Sequence, residues 1–127
     1  MIEPSAVNLP HVQDAVKAVF EIYENALTQN NLAMLDRLFW QSPFVIRFGA
    51  GETLYGIEAI RHFRQVRNAE NLDRALFNTS ITTFAEDFAI TTTEFERDGQ
   101  PRGRQTQTWV RFTDGWRIVS AHISHGI

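Results

Sequence analysis

Apolar and polar positions along the chain follow two regimes, helical in the first half and strand-like in the second. From Pro10 to Thr28, the residues Val12, Ala15, Val16, Val19, Phe20, Tyr23, Ala26 and Leu27 recur at steps of three and four. That spacing predicts a helix with one broad buried stripe. Asn30-Asn31 breaks the period, and Leu32, Leu35, Leu38 and Phe39 predict a second, shorter helix. Ser42-Pro43 stops it, because a residue before proline is pushed out of helical geometry. Residues 44–48 then read as a short strand, Gly49-Ala50-Gly51 as a turn, and residues 53–55 as a brief extended piece. Gly56 opens a third helix, with Ile57, Ile60, Phe63 and Val66 as its apolar positions through to Asn68.

Beyond Leu72 the threonines, phenylalanines and isoleucines favour pleated structure. Strands are expected over residues 73–85, 88–97, 104–113 and 116–124, with turns at Glu86-Asp87, Asp98-Gly99 and Asp114-Gly115. Alternation along the last strand puts Trp116, Ile118, Ser120, His122 and Ser124 on one face. Helices first and antiparallel strands afterwards predict an α+β fold, with three helices over one face of a curved sheet. At 127 residues the chain is one domain, with residues 1–9 as an N-terminal arm.

Composition narrows the function. A formal charge of −3 without a basic stripe argues against nucleic acid as a partner. The chain has no cysteine, which excludes disulfides, thiolate metal sites and cysteine nucleophiles. No apolar run approaches membrane-spanning length and no signal-peptide pattern opens the chain, so no membrane role and a cytoplasmic location are expected. Ten phenylalanines and three tryptophans suggest a core of large rings, or a cavity lined by them. His11, His62 and His125 lack metal-ligand spacing, and no metal or other cofactor is expected. The glycines at 49, 51 and 56 lack a phosphate-loop pattern.

Two residues interrupt apolar elements. Tyr23 lies on the buried stripe of the first helix, and Arg47 breaks the run Phe44-Val45-Ile46-Arg47-Phe48. A buried tyrosine needs a partner for its hydroxyl, either a backbone carbonyl or a ligand. An inward arginine keeps its charge and needs acceptors, whereas an outward one snorkels to water. A cavity for a small carboxylate would satisfy the inward case, and pairing with Glu52 is the competing arrangement. Glu52 and Tyr55 flank the turn after the arginine strand and are assigned, with His122, to the substrate-binding rim. Gln105 and Gln107 alternate on one face of their strand. They are read as a ladder across a dimer contact in preference to an amide-binding surface. Asp14 and Asp36 fall on polar helix faces, which disfavours an isomerase or cyclase with an inward aspartate base.

The order of elements resembles the nuclear-transport-factor-2-like cone fold of SnoaL-type cyclases and ketosteroid isomerase. Three segments sharpen the likeness: Ile46-Arg47-Phe48-Gly49 with Gly51-Glu52 and Tyr55-Gly56-Ile57; Ile60-Arg61-His62-Phe63-Arg64; and residues 103–112 running into Gly115-Trp116-Arg117-Ile118-Val119 and Ala121-His122. Together they resemble the AtzH-like group, which includes the HpxZ proteins of oxalurate catabolism. The resemblance implies a pocket between helices and concave sheet, and a homodimer formed through the sheet. It also implies a cofactor-free enzyme of ureide or amide breakdown, most concretely a lyase that decarboxylates a carboxylated urea. Tyr23 and Arg47 fall on the group's catalytic pair. A non-catalytic accessory protein, binding a carboxylated ureide or an amidase, is the alternative.

Overall fold

Proline at the first helical position costs no hydrogen bond, and Pro10 opens helix α1 (Pro10–Thr28) there. The computed structural model describes residues 1–126. Val12, Val16, Phe20, Tyr23, Ala26 and Leu27 form the buried stripe of α1, as the spacing predicts. Asn30 ends the run in left-handed geometry at φ 51°. The Asn31 side chain then accepts from Met34 N at 3.2 Å and caps α2 (Leu32–Leu38). Gly56, at φ 88°, turns the chain into α3 (Ile57–Val66). Its buried positions are Ile57, Ile60 and Arg64, while Val66 is exposed. The apolar period had pointed to Val66; a charged side chain occupies the inner face instead.

Six strands form one mixed sheet in the order β2-β1-β6-β5-β4-β3. They are β1 (Ile46–Phe48), β2 (Thr53–Tyr55), β3 (Ala75–Phe84), β4 (Phe88–Glu96), β5 (Gly103–Phe112) and β6 (Gly115–His125). All neighbours are antiparallel except β1 and β6, where Arg47 stands opposite Ala121. The three helices cover the concave face, and the sheet curves without closing. Two bulges contribute to that curvature. One lies in β3, where Asn78 adopts φ 53° and the register with β4 shifts between Phe77 and Ser80. The other lies in β6, where Thr108 pairs with Ser120 but Trp109 pairs with Ile118, leaving Val119 extra.

The second bulge overturns simple alternation along the last strand. Trp116 and Ile118 are buried, but past Val119 the inward positions pass to Ala121 and Ile123. Ser120, His122 and Ser124 therefore face outward. The N-terminal arm docks on the exposed edge of β3: Val7 bridges Phe84, and Asn8 Oδ1 accepts from Thr83 N at 2.9 Å. That contact shields an edge that would otherwise offer unpaired backbone groups. Among the described residues, no helix is long and apolar enough to cross a membrane.

Phe95 on β4 and Gly103 on β5 are register partners, and the Phe95 ring lies over the glycine. A Cβ at Gly103 would overlap the ring. Gly103→Ala is expected to destabilise the fold by about 1–3 kcal/mol in urea unfolding, the usual cost of overpacking. The double variant Gly103→Ala/Phe95→Leu should lose less than the sum of the two single changes, since the smaller side chain relieves the clash.

Candidate functional site

Five arginines converge on the concave face, and three phenylalanine rings organise them. Arg47 lies 5.0 Å and Arg67 6.0 Å from the Phe63 ring centroid. Arg64 sits 4.4 Å above Phe39. Arg74 and Arg97 lie 4.5 Å and 5.1 Å from Phe95. Stacking on an aromatic face contributes about 0.5–2 kcal/mol per pair, the larger value where water is excluded. The abundant phenylalanines thus serve as platforms for charge as well as filling the core.

Three of these arginines also have carboxylate partners. Arg64 Nη1 donates to Asp36 Oδ1 at 2.8 Å, so Asp36 holds a buried guanidinium in place of resting on a polar helix face. Arg74 grips Glu24 with two nitrogens and donates to Gln105 Oε1 at 3.0 Å. Arg47, 9% exposed, donates through Nη1 to Glu52 Oε1 at 2.6 Å. The competing arrangement foreseen for Arg47 is therefore present, but it engages one nitrogen and leaves Nε and Nη2 for another acceptor. The Glu52 carboxylate lies where a Cβ of residue 49 would be, so Gly49 leaves room for the pair in this arrangement.

Arg67 and Arg97 have no carboxylate within ion-pair distance among the described residues. Arg67 Nε and Nη2 are buried without a hydrogen-bond partner, and Arg97 Nε reaches only the Leu72 carbonyl at 3.4 Å. Burial lowers the pKa of Arg64, Arg67 and Arg97 from the ordinary arginine value. Tyr23 itself is 3% exposed, with its ring 6.4 Å from that of Phe39.

A cavity of about 380 Å³ opens over this cluster. Arg47 and Glu52 line one side, Arg67 and the loop after α3 another, and Arg74, Arg97 and Gln105 the far end. Tyr23 is not among the residues that line the cavity; it lies buried one turn of α1 before Leu27, which does line it. Tyr55 and His122, assigned to the rim from sequence, do not reach it. Tyr55 is 63% exposed and pairs with Ile46, and its ring meets Phe48 edge-on at 5.8 Å on the outer face. His122 meets the same Phe48 at 5.7 Å, because the bulge at Val119 turns it away from the helices. Gln105 and Gln107 are buried on the helix-covered face, which removes them from any ladder on the outer side of the sheet.

The remaining histidines are dispersed. His11 pairs with Glu86 at 2.7 Å, a partner the sequence did not suggest, and His62 is exposed. His125 packs edge-on against Phe95 at the cavity mouth. Among the described residues, no group of three or more potential ligands could hold a metal ion. Sequence reasoning missed Arg64, Arg67, Arg74 and Arg97. A usable signal existed in α3, where Arg64 follows Ile60 at a step of four and so shares its inner face; Arg67 follows the helix end in extended backbone.

Comparison with known proteins places this geometry. A structure from Pectobacterium atrosepticum, a DUF3225-family protein, is 52% identical over 100% of both chains, with a TM-score of 0.98. A cystatin-like fold protein from Burkholderia xenovorans is 42% identical over 98% of this chain and 97% of that one, with a TM-score of 0.92. A nuclear transport factor 2-like superfamily protein from Salmonella enterica shares the fold at 20% identity, with 92% of each chain covered and a TM-score of 0.74. No curated protein matches the sequence. The AtzH-like family profile matches residues 5–126, nearly the whole chain, and the protein belongs to the AtzH-like family.

Proposed function

We propose that the cavity binds a small dianionic carboxylated ureide and decarboxylates it, giving a monoanionic urea carboxylate of the allophanate type. One observation carries this reading: Arg67 and Arg97 bring two guanidiniums without carboxylate partners to the same cavity as Arg47. Charge that cannot be shed, half-buried and without an ion-pair partner among the described residues, favours an anionic occupant. A ligand with two carboxylates supplies the missing charge, and a bidentate carboxylate matches the planar guanidinium fork.

In the proposed step, the bond between the ureide nitrogen and the departing carboxylate carbon breaks. Carbon dioxide leaves, and the bonding pair stays on nitrogen, where charge spreads into the adjacent carbonyl. Tyr23 donates its phenolic proton to that nitrogen and later recovers a proton from water. Arg47 uses its free nitrogens to hold the carbonyl oxygen or the retained carboxylate as charge develops. Glu52 fixes Arg47 and offers its second oxygen to a ureide N–H. The chemistry calls for one proton transfer and charge stabilisation, which side chains supply.

The homodimer implied by family resemblance would use the outer face of the sheet, where Phe48, Tyr55 and His122 cluster beyond the reach of the helices. The oxalurate pathway is one source of a suitable ureide.

Carbon-13 NMR of a labelled carboxylated urea, generated in place by an amidase, tests the activity. Wild type should release bicarbonate faster than the spontaneous rate. Tyr23→Phe should lower turnover by about 10²–10⁴-fold while leaving affinity nearly unchanged. Arg47→Met should weaken binding by about 2–5 kcal/mol. Ligand-dependent shifts without accelerated release would identify a binding protein and refute the enzyme reading. Arg67→Met is expected to reduce ligand affinity about tenfold or more, the scale of a lost charged hydrogen bond. It should melt no lower than the parent when ligand-free, because the substitution removes an uncompensated charge. Calorimetric titration and a thermal melt together check that pairing of effects.

A further inference from the structure

His125 lines the concave-face cavity and has no part in the proton transfer assigned to Tyr23. The bulge at Val119 that turns His122 outward also sets Ala121, Ile123 and His125 facing inward. His125 pairs with Gly103, and Gly103 with Phe95, so the three form one cross-strand row. The Phe95 ring lies over the glycine and meets the imidazole edge-on, with 5.5 Å between centroids. The same ring stacks Arg74 and Arg97 at 4.5 Å and 5.1 Å. Two guanidiniums and one imidazole thus share a single aromatic platform. The imidazole is half-buried, and its Nδ1 is buried without a hydrogen-bond partner among the described residues.

Among the described residues, the other charged side chains lining the cavity are Arg47, Glu52, Arg67, Glu70, Arg74 and Arg97. Guanidiniums and carboxylates as classes change charge well outside the neutral range, whereas imidazole changes within it. His125 is therefore the group through which solvent pH can reset the charge of this cavity. The carboxylates around it are mostly committed. Glu24 on α1 is gripped by Arg74, Glu52 accepts from Arg47, and Glu70 stands exposed on the loop after α3. Arg102, whose carbonyl accepts from Gly126 N at 3.2 Å, sends its guanidinium away to Glu94 and Glu96. A carboxylate ligand among these cations would supply an imidazolium with a counter-charge and favour its formation.

We propose that His125 is a further ligand-binding residue, whose imidazolium pairs with a carboxylate in the cavity and takes its proton from solvent as that ligand binds. This rests on the anionic occupant proposed above and is independent of which bond breaks afterwards. Binding and protonation are then reciprocally linked. The imidazolium holds an anion more tightly than the neutral ring does. Affinity is consequently greatest below the range in which the imidazole titrates and falls as pH rises through it. By the same linkage, each anion bound near neutral pH draws protons from solution. Decarboxylation at nitrogen consumes one proton per turnover, and this coupling brings a proton into the cavity with the substrate.

Oxalate and fumarate, dianions of two lengths that stay ionised near neutral pH, are the probes. Calorimetric titration of the full-length protein should show affinity falling about fivefold or more from about pH 6 to about pH 8. Repeating it in bis-Tris and in Tris, buffers of unequal ionisation enthalpy and neither an anion, should reveal net proton uptake per ligand bound. His125→Gln should lose both effects, with affinity at about pH 8 changed by no more than about twofold. His122→Gln, altered on the outer face, should keep both. Affinity independent of pH in wild type, without proton uptake, would overturn the role of His125 and leave the anionic reading standing. Full pH dependence in His125→Gln, or its loss in His122→Gln, would overturn that role equally. Failure of both probes to bind wild type at any pH would overturn the anionic reading and this proposal with it. The wild-type buffer comparison depends on no variant folding correctly.

Discussion

A guanidinium keeps its charge in every environment a protein interior provides, so each buried arginine must find a carboxylate, an aromatic face or a ligand. That constraint organises the concave side of this cone. Asp36 pairs with Arg64 and also with Arg61, Glu24 takes Arg74 and Glu52 takes Arg47, while Phe39, Phe63 and Phe95 supply the stacking surfaces. Gly49 and Gly103 are consequences of the same demand. The first leaves room for the carboxylate that holds Arg47, and the second for the ring that carries Arg74 and Arg97. Once those partners are assigned, Arg67 and Arg97 remain without an ion-pair partner among the described residues, and both line the cavity.

Much of the fold was legible because it depends on local rules. The stripe from Val12 to Leu27, the break at Asn30-Asn31 and the hairpin turns are properties of short segments, and each element appears where its pattern places it. The outward turn of His122 was not legible. A bulge at Val119 is decided by pairing with Thr108 and Trp109, and nothing in the alternation of β6 announces it. Tyr55 was misplaced for a related reason, since the face of a three-residue edge strand is set by its partner Ile46.

The candidate site was partly legible. Tyr23 and Arg47 stood out because each broke an apolar pattern, and of the two Arg47 lines the cavity. Arg64 followed a helical period equally well, but the apolar residues Phe63 and Val66 competed for the inner face of α3, and arginine is rarely expected to win such a contest. Arg74 and Arg97 adjoin strand ends, where charged residues ordinarily signal a solvated turn. Their inward stacking depends on Phe95, a residue distant in sequence from Arg74.

The parallel pairing of β1 with β6 has a consequence for biosynthesis. Arg47 emerges early from the ribosome, yet its strand has only the short β2 beside it until Ala121 arrives near the end of synthesis. The helices and the β3–β4–β5 hairpins form from neighbouring segments, whereas this closure joins distant ones and bears a larger loop entropy. Of the five clustered arginines Arg47 alone lies on this strand, so its place on the concave face waits for the last segment to be made. A chain truncated before β6 would lack the partner strand that sets the backbone of Arg47.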